Sequence, residues 1–421
     1  MKKQASTHSP TLLKTDVHEA SDDGSWLGFS QNFEQRFLTR IRFNLLDRFW
    51  NTAYRFPKKA KKGNNRMHCL AKKYLSAALF SATILAGNQI AHAADITVMG
   101  YRGPFEENYV KAVVEPFMQA HPDIKVTYYG VQNAATSLGN MRAQRNAPQV
   151  NAVIYDLSVA KIAKEEGLVA ELDTAKLPNY ADLADVGKEL AGAAIPITYD
   201  TLSLIYNRDA FPQAPTSWET LWDPKQDGKV IIPAQGGGDI QAILLTIIAN
   251  RLAGEDDYKE TIEPGVEKLV ELAPHVQTWE PKPDAYTLVA NGTASVSIGY
   301  NARSQFYTDH TEGRMQSVGP EEGTASQINV ISALENAPEQ EATETFINYA
   351  LSPEAQAAFA QVMFYAPTNA KADVDEATRK RIPLMDPAQR EKLIAVDWMS
   401  IGDMRDDILR PWRRQIIPAG R

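Results

Sequence analysis

The spacing of apolar residues between Ile96 and Tyr129 does most to limit what this chain can fold into. Ile96-Thr97-Val98-Met99 reads as a short buried strand that stops at the turn-rich Gly100-Tyr101-Arg102-Gly103-Pro104. From Glu106 to Ala120, the apolar positions Tyr109, Val113, Val114 and Phe117 fall at helical spacing, and Ile124 to Tyr129 reads as a second strand. A strand, a helix and a strand in so short a stretch leave one economical solution, a βαβ unit with its strands parallel.

The pattern continues along the chain. Ala152-Val153-Ile154-Tyr155-Asp156 is a strand, and Ser158 is placed to cap a helix ending at Gly167. Ile195 to Asp200 and Thr201 to Asn207 are both β-rich and together read as a crossover strand. Ser217 caps a short helix over Trp218-Glu219-Thr220-Leu221-Trp222, and Lys229 to Pro233 is a strand. Gly236-Gly237-Gly238-Asp239 leads into Ile240 to Leu252, apolar all round and therefore a buried helix. Val266 to Leu272 is helical, Ala294 to Tyr300 and Ile328 to Leu334 are strands, and Glu341 to Leu351 is a helix. Ser352-Pro353-Glu354 opens another, with proline at a position where its missing N–H costs nothing.

The segment Met67 to Ala94 has the grammar of a secretory signal: Lys72-Lys73, an apolar run from Tyr74 to Gly87, and Ala91-His92-Ala93 as a small-x-small cleavage site. The apolar run is too short to span a bilayer. Residues 1–66 are then expected to be an upstream extension without function, 67–93 the signal peptide, and Ala94 the start of the exported chain. Cys69, the single cysteine, falls inside the signal, so disulfides, cysteine-ligated zinc and a thiol nucleophile are excluded from the exported part. A formal net charge of -8 argues against a general nucleic-acid binder.

In this order, the strand and loop Ile96 to Tyr101, the run Ser217-Trp218-Glu219-Thr220-Leu221-Trp222-Asp223-Pro224 with Gly228-Lys229-Val230, Ala290-Asn291-Gly292 before Gly299-Tyr300-Asn301, and Tyr365-Ala366-Pro367-Thr368-Asn369 form a recognisable set. Through them the chain resembles the periplasmic solute-binding proteins of ABC importers, in particular the polyamine (spermidine/putrescine) branch. The resemblance implies an α/β two-lobed periplasmic binding protein fold of type II, each lobe a mainly parallel sheet flanked by helices. Residues 94–200 plus 326–365 would form the first lobe and 201–325 plus 366–421 the second. It further implies a small-molecule ligand in the cleft between the lobes, a membrane permease as partner, a monomer in the periplasm, no cofactor and no enzymatic activity.

In such a fold the residues just after each strand face the ligand. This selects Tyr101 and Arg102 after the first strand, Asp156 and Ser158 after the third, and Tyr300, Asn301 and Arg303 after the strand ending at Tyr300. Gly237, Gly238 and Asp239 open a helix whose N–H groups suit an anion. Gln327 and Asn329 flank the return strand, where the polyamine family places a tryptophan and an aspartate. Their replacement, and that of the acids expected after Pro233 by glycines, leaves few charges for a polycation. A solute with at least one anionic end fits better, either an amino acid-like zwitterion with Asp156 or Asp239 on its amine or a small organic acid.

Other classes have less support. His121, His275 and His310 lie far apart in sequence, in no metal-ligand spacing. Tyr128-Tyr129 is reminiscent of ferric-ion binders, but neighbours on a strand point to opposite faces. Ser158-Val159-Ala160-Lys161 matches the S-x-x-K of penicillin-recognising enzymes without its companion motifs, and no G-x-S-x-G or H-E-x-x-H of a secreted hydrolase occurs.

Overall fold

The computed structural model describes residues 94–420, and the signal segment, the upstream extension and Cys69 lie outside them. Strand β1 (Ala94–Tyr101) is followed by helix α1 (Pro104–Tyr109), which continues through a π-helical turn (Val110–Val114) into Glu115–Ala120. Strand β2 (Ile124–Val131) then pairs in parallel with β1 over its full length, from Ala94 opposite Ile124 to Tyr101 opposite Val131. The expected βαβ unit is therefore present. After helix α2 (Ala134–Ala143), strand β3 (Ala152–Asp156) joins β1 on its other side, again in parallel.

Helix α3 (Leu157–Glu165) begins two residues earlier than a Ser158 cap would allow. Asp156 occupies the capping position without making a side-chain cap bond, and Ser158 is fully buried with no partner for its hydroxyl. Gly167 closes this helix with φ of 64°, the left-handed turn that glycine adopts without steric cost.

The β-rich runs on either side of Asp200 form one strand, β4 (Ile195–Asn207). Its first half pairs antiparallel with β9 (Thr324–Ala333), and its second half pairs with β7 (Val296–Tyr300) and β8 (Met315–Val318). Beyond β7 lie β5 (Val230–Ile231) and β6 (Val276–Thr278), both parallel, so the strand order is β2-β1-β3-β9-β4-β7-β5-β6. Each flank is thus a parallel three-stranded sheet with helices on it, and the long antiparallel pair β4 and β9 carries the chain from one to the other. Burial of almost every residue of β4 explains its near-continuous apolar run.

Helix α4 (Asp239–Leu252) is buried along most of its length, as its composition predicts, and α5 (Glu263–Leu272) packs beside it. Helices α6 (Ala285–Ala290) and α7 (Asn301–His310) flank β7, α8 (Gln340–Ala350) and α9 (Pro353–Met363) cover the first sheet, and Ser352 caps α9 as expected, its hydroxyl accepting from the Ala355 N–H at 3.2 Å. Near the C-terminus, α10 (Trp398–Pro411) packs against both α3 and α4. The indole N–H of Trp412, which follows it, donates to the Thr246 hydroxyl at 2.9 Å, giving this buried polar tip the partner it requires.

Candidate ligand-binding site

Strand ends converge between the two halves of the sheet. β1 ends in Tyr101, β3 in Asp156 and β7 in Tyr300, while β9 brings Gln327 and Asn329 past the same point. With Arg303, Tyr286 and Tyr365 these residues line a cavity of about 140 Å³. An outer chamber of about 470 Å³ shares Gln132, Asn133, Gly237, Gln241, Tyr286 and Arg303 with it.

One wall is a polar network built on a carboxylate. Gln327 donates its side-chain amide to Asp156 and, at 3.1 Å, to the Asn329 Oδ1. Tyr101 donates its hydroxyl to the same Asn329 oxygen at 3.2 Å, and the Asn329 amide donates to Thr198 Oγ1 at 2.9 Å. Burial pushes the Asp156 carboxyl up to about 6, although the Tyr101 hydroxyl, the positive charge of Arg405 and the Gln327 amide act in the opposite direction. Near neutral pH it is a carboxylate held in a poorly solvated place, the condition under which a cation is welcome.

The opposite wall carries the cation. Arg303 projects from the first turn of α7 with its guanidinium 5.9 Å from the centre of the Tyr286 ring, and it makes no ion pair with a side chain among the described residues. Its helix is held by Asp200 on the crossing strand, whose carboxylate accepts the Ala302 N–H at 3.1 Å and the Thr201 N–H at 2.8 Å. Burial pushes Asp200 up to about 8 even so. An unpaired guanidinium facing a cavity is a receptor for a carboxylate, with planar donors that fit both oxygens.

Four tyrosines enclose the space between: Tyr101, Tyr286, Tyr300 and Tyr365. Burial raises the pKa of every one, so all are neutral phenols, and Tyr101 already donates to Asn329. They are fixed from behind. Tyr101 stands edge-on to Phe105 with ring centres 5.4 Å apart, Tyr365 stacks on Phe359 at 5.5 Å, and the Tyr300 N–H donates to the Tyr286 hydroxyl at 2.9 Å.

Of the residues expected at the ligand, Tyr101, Asp156, Gly237, Tyr300, Arg303, Gln327 and Asn329 line the inner cavity, whereas Arg102 and Gly238 reach only the outer chamber. Three stand elsewhere. Ser158 is buried behind the first turn of α3. Asn301 is turned away, donating to the Arg381 carbonyl at 2.9 Å and accepting from the Gln305 amide at 3.1 Å. Asp239 is ion-paired with Arg405 at 2.6 Å, so it offers no free carboxylate to an amine. Tyr128 and Tyr129 do fall on opposite faces: Tyr128 donates to the Tyr101 carbonyl at 3.1 Å, and Tyr129 is 47 % exposed.

Gln132, Asn133, Asp200, Tyr286 and Tyr365 were missed. Gln132 and Asn133 follow β2, so the same rule of looking past each strand end would have found them. Tyr286 enters on α6, a short helix whose only sequence signal is its Asp284 cap.

The model of a family described as bacterial extracellular solute-binding protein matches residues 112–385. A gamma-aminobutyric acid-binding protein of Pseudomonas aeruginosa is 22% identical over 362 residues, 82% of this chain and 98% of that protein. The spermidine/putrescine-binding periplasmic protein of Escherichia coli is 23% identical over 310 residues, 72% of this chain and 86% of that one. Among solved structures, an ABC transporter substrate-binding protein from Bradyrhizobium japonicum superposes with a TM-score of 0.67 at 20% identity, covering 76% of this chain and 98% of the other, which agrees with the two-lobed α/β architecture. The chain belongs to the bacterial extracellular solute-binding protein family.

Proposed function

We propose that this protein is the periplasmic solute-capturing component of an ABC importer, and that its solute is a small zwitterion of the amino-acid type, with an ammonium and a carboxylate at opposite ends. The observation that carries the reading is the pairing of one desolvated carboxylate, Asp156, with one unpaired guanidinium, Arg303, across a cavity walled by tyrosines. The ammonium sits at Asp156 with tyrosine faces around it, and the carboxylate sits at Arg303. The name of the Pseudomonas aeruginosa relative, a binder of gamma-aminobutyric acid, supports an ω-amino acid.

Binding and delivery follow from the fold. Solute contacts both halves of the sheet, so it stabilises the arrangement in which they approach, and β4 and β9 provide the flexure where they change partners near residues 200 and 326. We assign residues 94–200 plus 326–365 to one lobe and 201–325 plus 366–421 to the other. The protein works as a monomer that presents both lobes to a membrane permease and releases its solute unchanged. Export depends on the segment 67–93.

A thermal-shift screen against ω-amino acids, α-amino acids, dicarboxylates, diamines and ferric citrate tests this, because a ligand of the native state raises the melting temperature by mass action. The largest shift is expected from an ω-amino acid. The largest shift from putrescine or spermidine would replace this reading with that of the Escherichia coli relative.

A further inference from the structure

We propose that Arg405, from the C-terminal helix α10, is the residue that sets the charge preference of the cleft: it occupies Asp239, leaving Asp156 as the single carboxylate free for an ammonium. This deepens the zwitterion reading and rests on it.

Arg405 reaches the site from outside both sheets, on a helix packed against α3 and α4. Its side chain is 15 % exposed, and its Nη2 donates to the Asp239 Oδ2 at 2.6 Å. The other arm, Nη1, is buried with no acceptor among the described residues, so no second carboxylate among them takes up its charge. Asp239 lies between Gly237 and Ile240, both of which line the inner cavity. Burial dominates the Asp156 carboxyl and raises its pKa, and the pair modulates it from a distance, Arg405 drawing it down and Asp239 raising it.

Counting the charges around the cleft gives the preference. Asp200 is occupied by the Ala302 and Thr201 N–H groups, and Asp239 by Arg405. Of the residues lining the inner cavity, Asp156 and Arg303 are the two that carry charge. A diamine would place its second ammonium beside Arg303 with no carboxylate of the inner cavity to meet it. Asp284 in the outer chamber already accepts from Thr287 and Tyr307, so the ammonium would be in the unpaired arrangement that a poorly solvated site disfavours most. A zwitterion of the same length satisfies both. Without Arg405, Asp239 becomes an acid at the cavity edge, and the site regains the doubly acidic character that suits a diamine.

Calorimetric titration of γ-aminobutyrate and putrescine, which have matching chain length, into the wild-type protein and the variants Arg405→Met and Arg405→Lys tests the assignment. The ratio of putrescine to γ-aminobutyrate dissociation constants should fall about tenfold in Arg405→Met, the size of a charge-assisted hydrogen bond gained by the diamine. Arg405→Lys should keep the wild-type ratio, and Asp239→Asn added to Arg405→Met should restore it. An unchanged ratio in an Arg405→Met protein with native circular dichroism overturns the proposal. Should the wild type bind neither compound, the zwitterion reading fails, and Arg405 is judged by the carboxyl ¹³C titration of Asp156: its midpoint should rise in Arg405→Met, and an unmoved midpoint overturns the assignment.

Discussion

The side-chain amide of Gln132 donates to the Gly236 carbonyl at 2.8 Å, tying the loop after β2 to the loop after β5 across the mouth of the cleft. Gln132 is exposed, so this bond competes with water and stabilises the closed arrangement only modestly, by about 0.5–1 kcal/mol. Gln132→Ala should therefore weaken solute binding severalfold, chiefly through faster dissociation, while leaving the melting temperature of the ligand-free protein nearly unchanged. Stopped-flow dissociation measurements check this, and an equal loss of unliganded stability would assign Gln132 to folding instead.

At Gly237 the loop after β5 packs against Asn133 of the loop after β2. The Gly237 φ is 113°, and a Cβ there would stand 2.2 Å from the Asn133 amide nitrogen. Asn133 is itself committed, its Oδ1 accepting the Thr136 N–H at 2.9 Å as the cap of α2. Gly237→Ala combines backbone strain with this contact and should disfavour closure by about 1–3 kcal/mol. In small-angle scattering, ligand should shrink the wild-type radius of gyration and shrink the variant's less at equal occupancy.

Arg303 and Asp156 should divide the solute between them. Arg303→Ala is expected to cost a carboxylate-bearing solute about 1.5–3 kcal/mol, the range for a hydrogen bond to a charged group, and to cost a solute lacking the carboxylate much less. Asp156→Asn should show the mirror-image selectivity toward the ammonium. Titration of a zwitterion, its amine analogue and its acid analogue into each variant reads the pattern, and equal losses for all three would mean that the substitution damaged the fold.

The two buried acids give stability and binding opposite pH dependences. Folding raises Asp156 from 3.8 to about 6 and Asp200 from 3.8 to about 8, so the folded state holds these protons more tightly than the unfolded chain. Their contribution to stability is full below 3.8 and is lost as pH rises, through about 6 for Asp156 and about 8 for Asp200. Binding of an ammonium needs the Asp156 carboxylate, so affinity should fall by up to about tenfold per unit as pH drops below the Asp156 midpoint. Urea unfolding of the ligand-free protein across this range should show the decline, with Asp156→Asn flattening its lower part and Asp200→Asn its upper part.

Much of the cleft was legible because the site lies at strand ends, and strand ends can be read from apolar runs that stop at polar or turn residues. Tyr101, Asp156 and Tyr300 were found in this way. The rule fails where the first helical turn rotates a residue out of the cavity: Ser158 and Asn301 both follow a strand closely, yet one points into the core and the other toward Arg381. Asp239 was identified as an acid near the ligand but misread as available, because its partner lies far along the chain on a helix that no local pattern ties to the site.

Local periodicity and turn chemistry were enough to place the βαβ units and the long crossing strand, and the family resemblance of the motif set pointed to the class of protein. The charge of the site is set by contacts made in three dimensions. Whether an acid near the cleft is free, desolvated or already paired depends on which distant side chain reaches it. Pairing Arg405 with Asp239 while leaving Arg303 open is a result of packing, and no spacing along the chain records it.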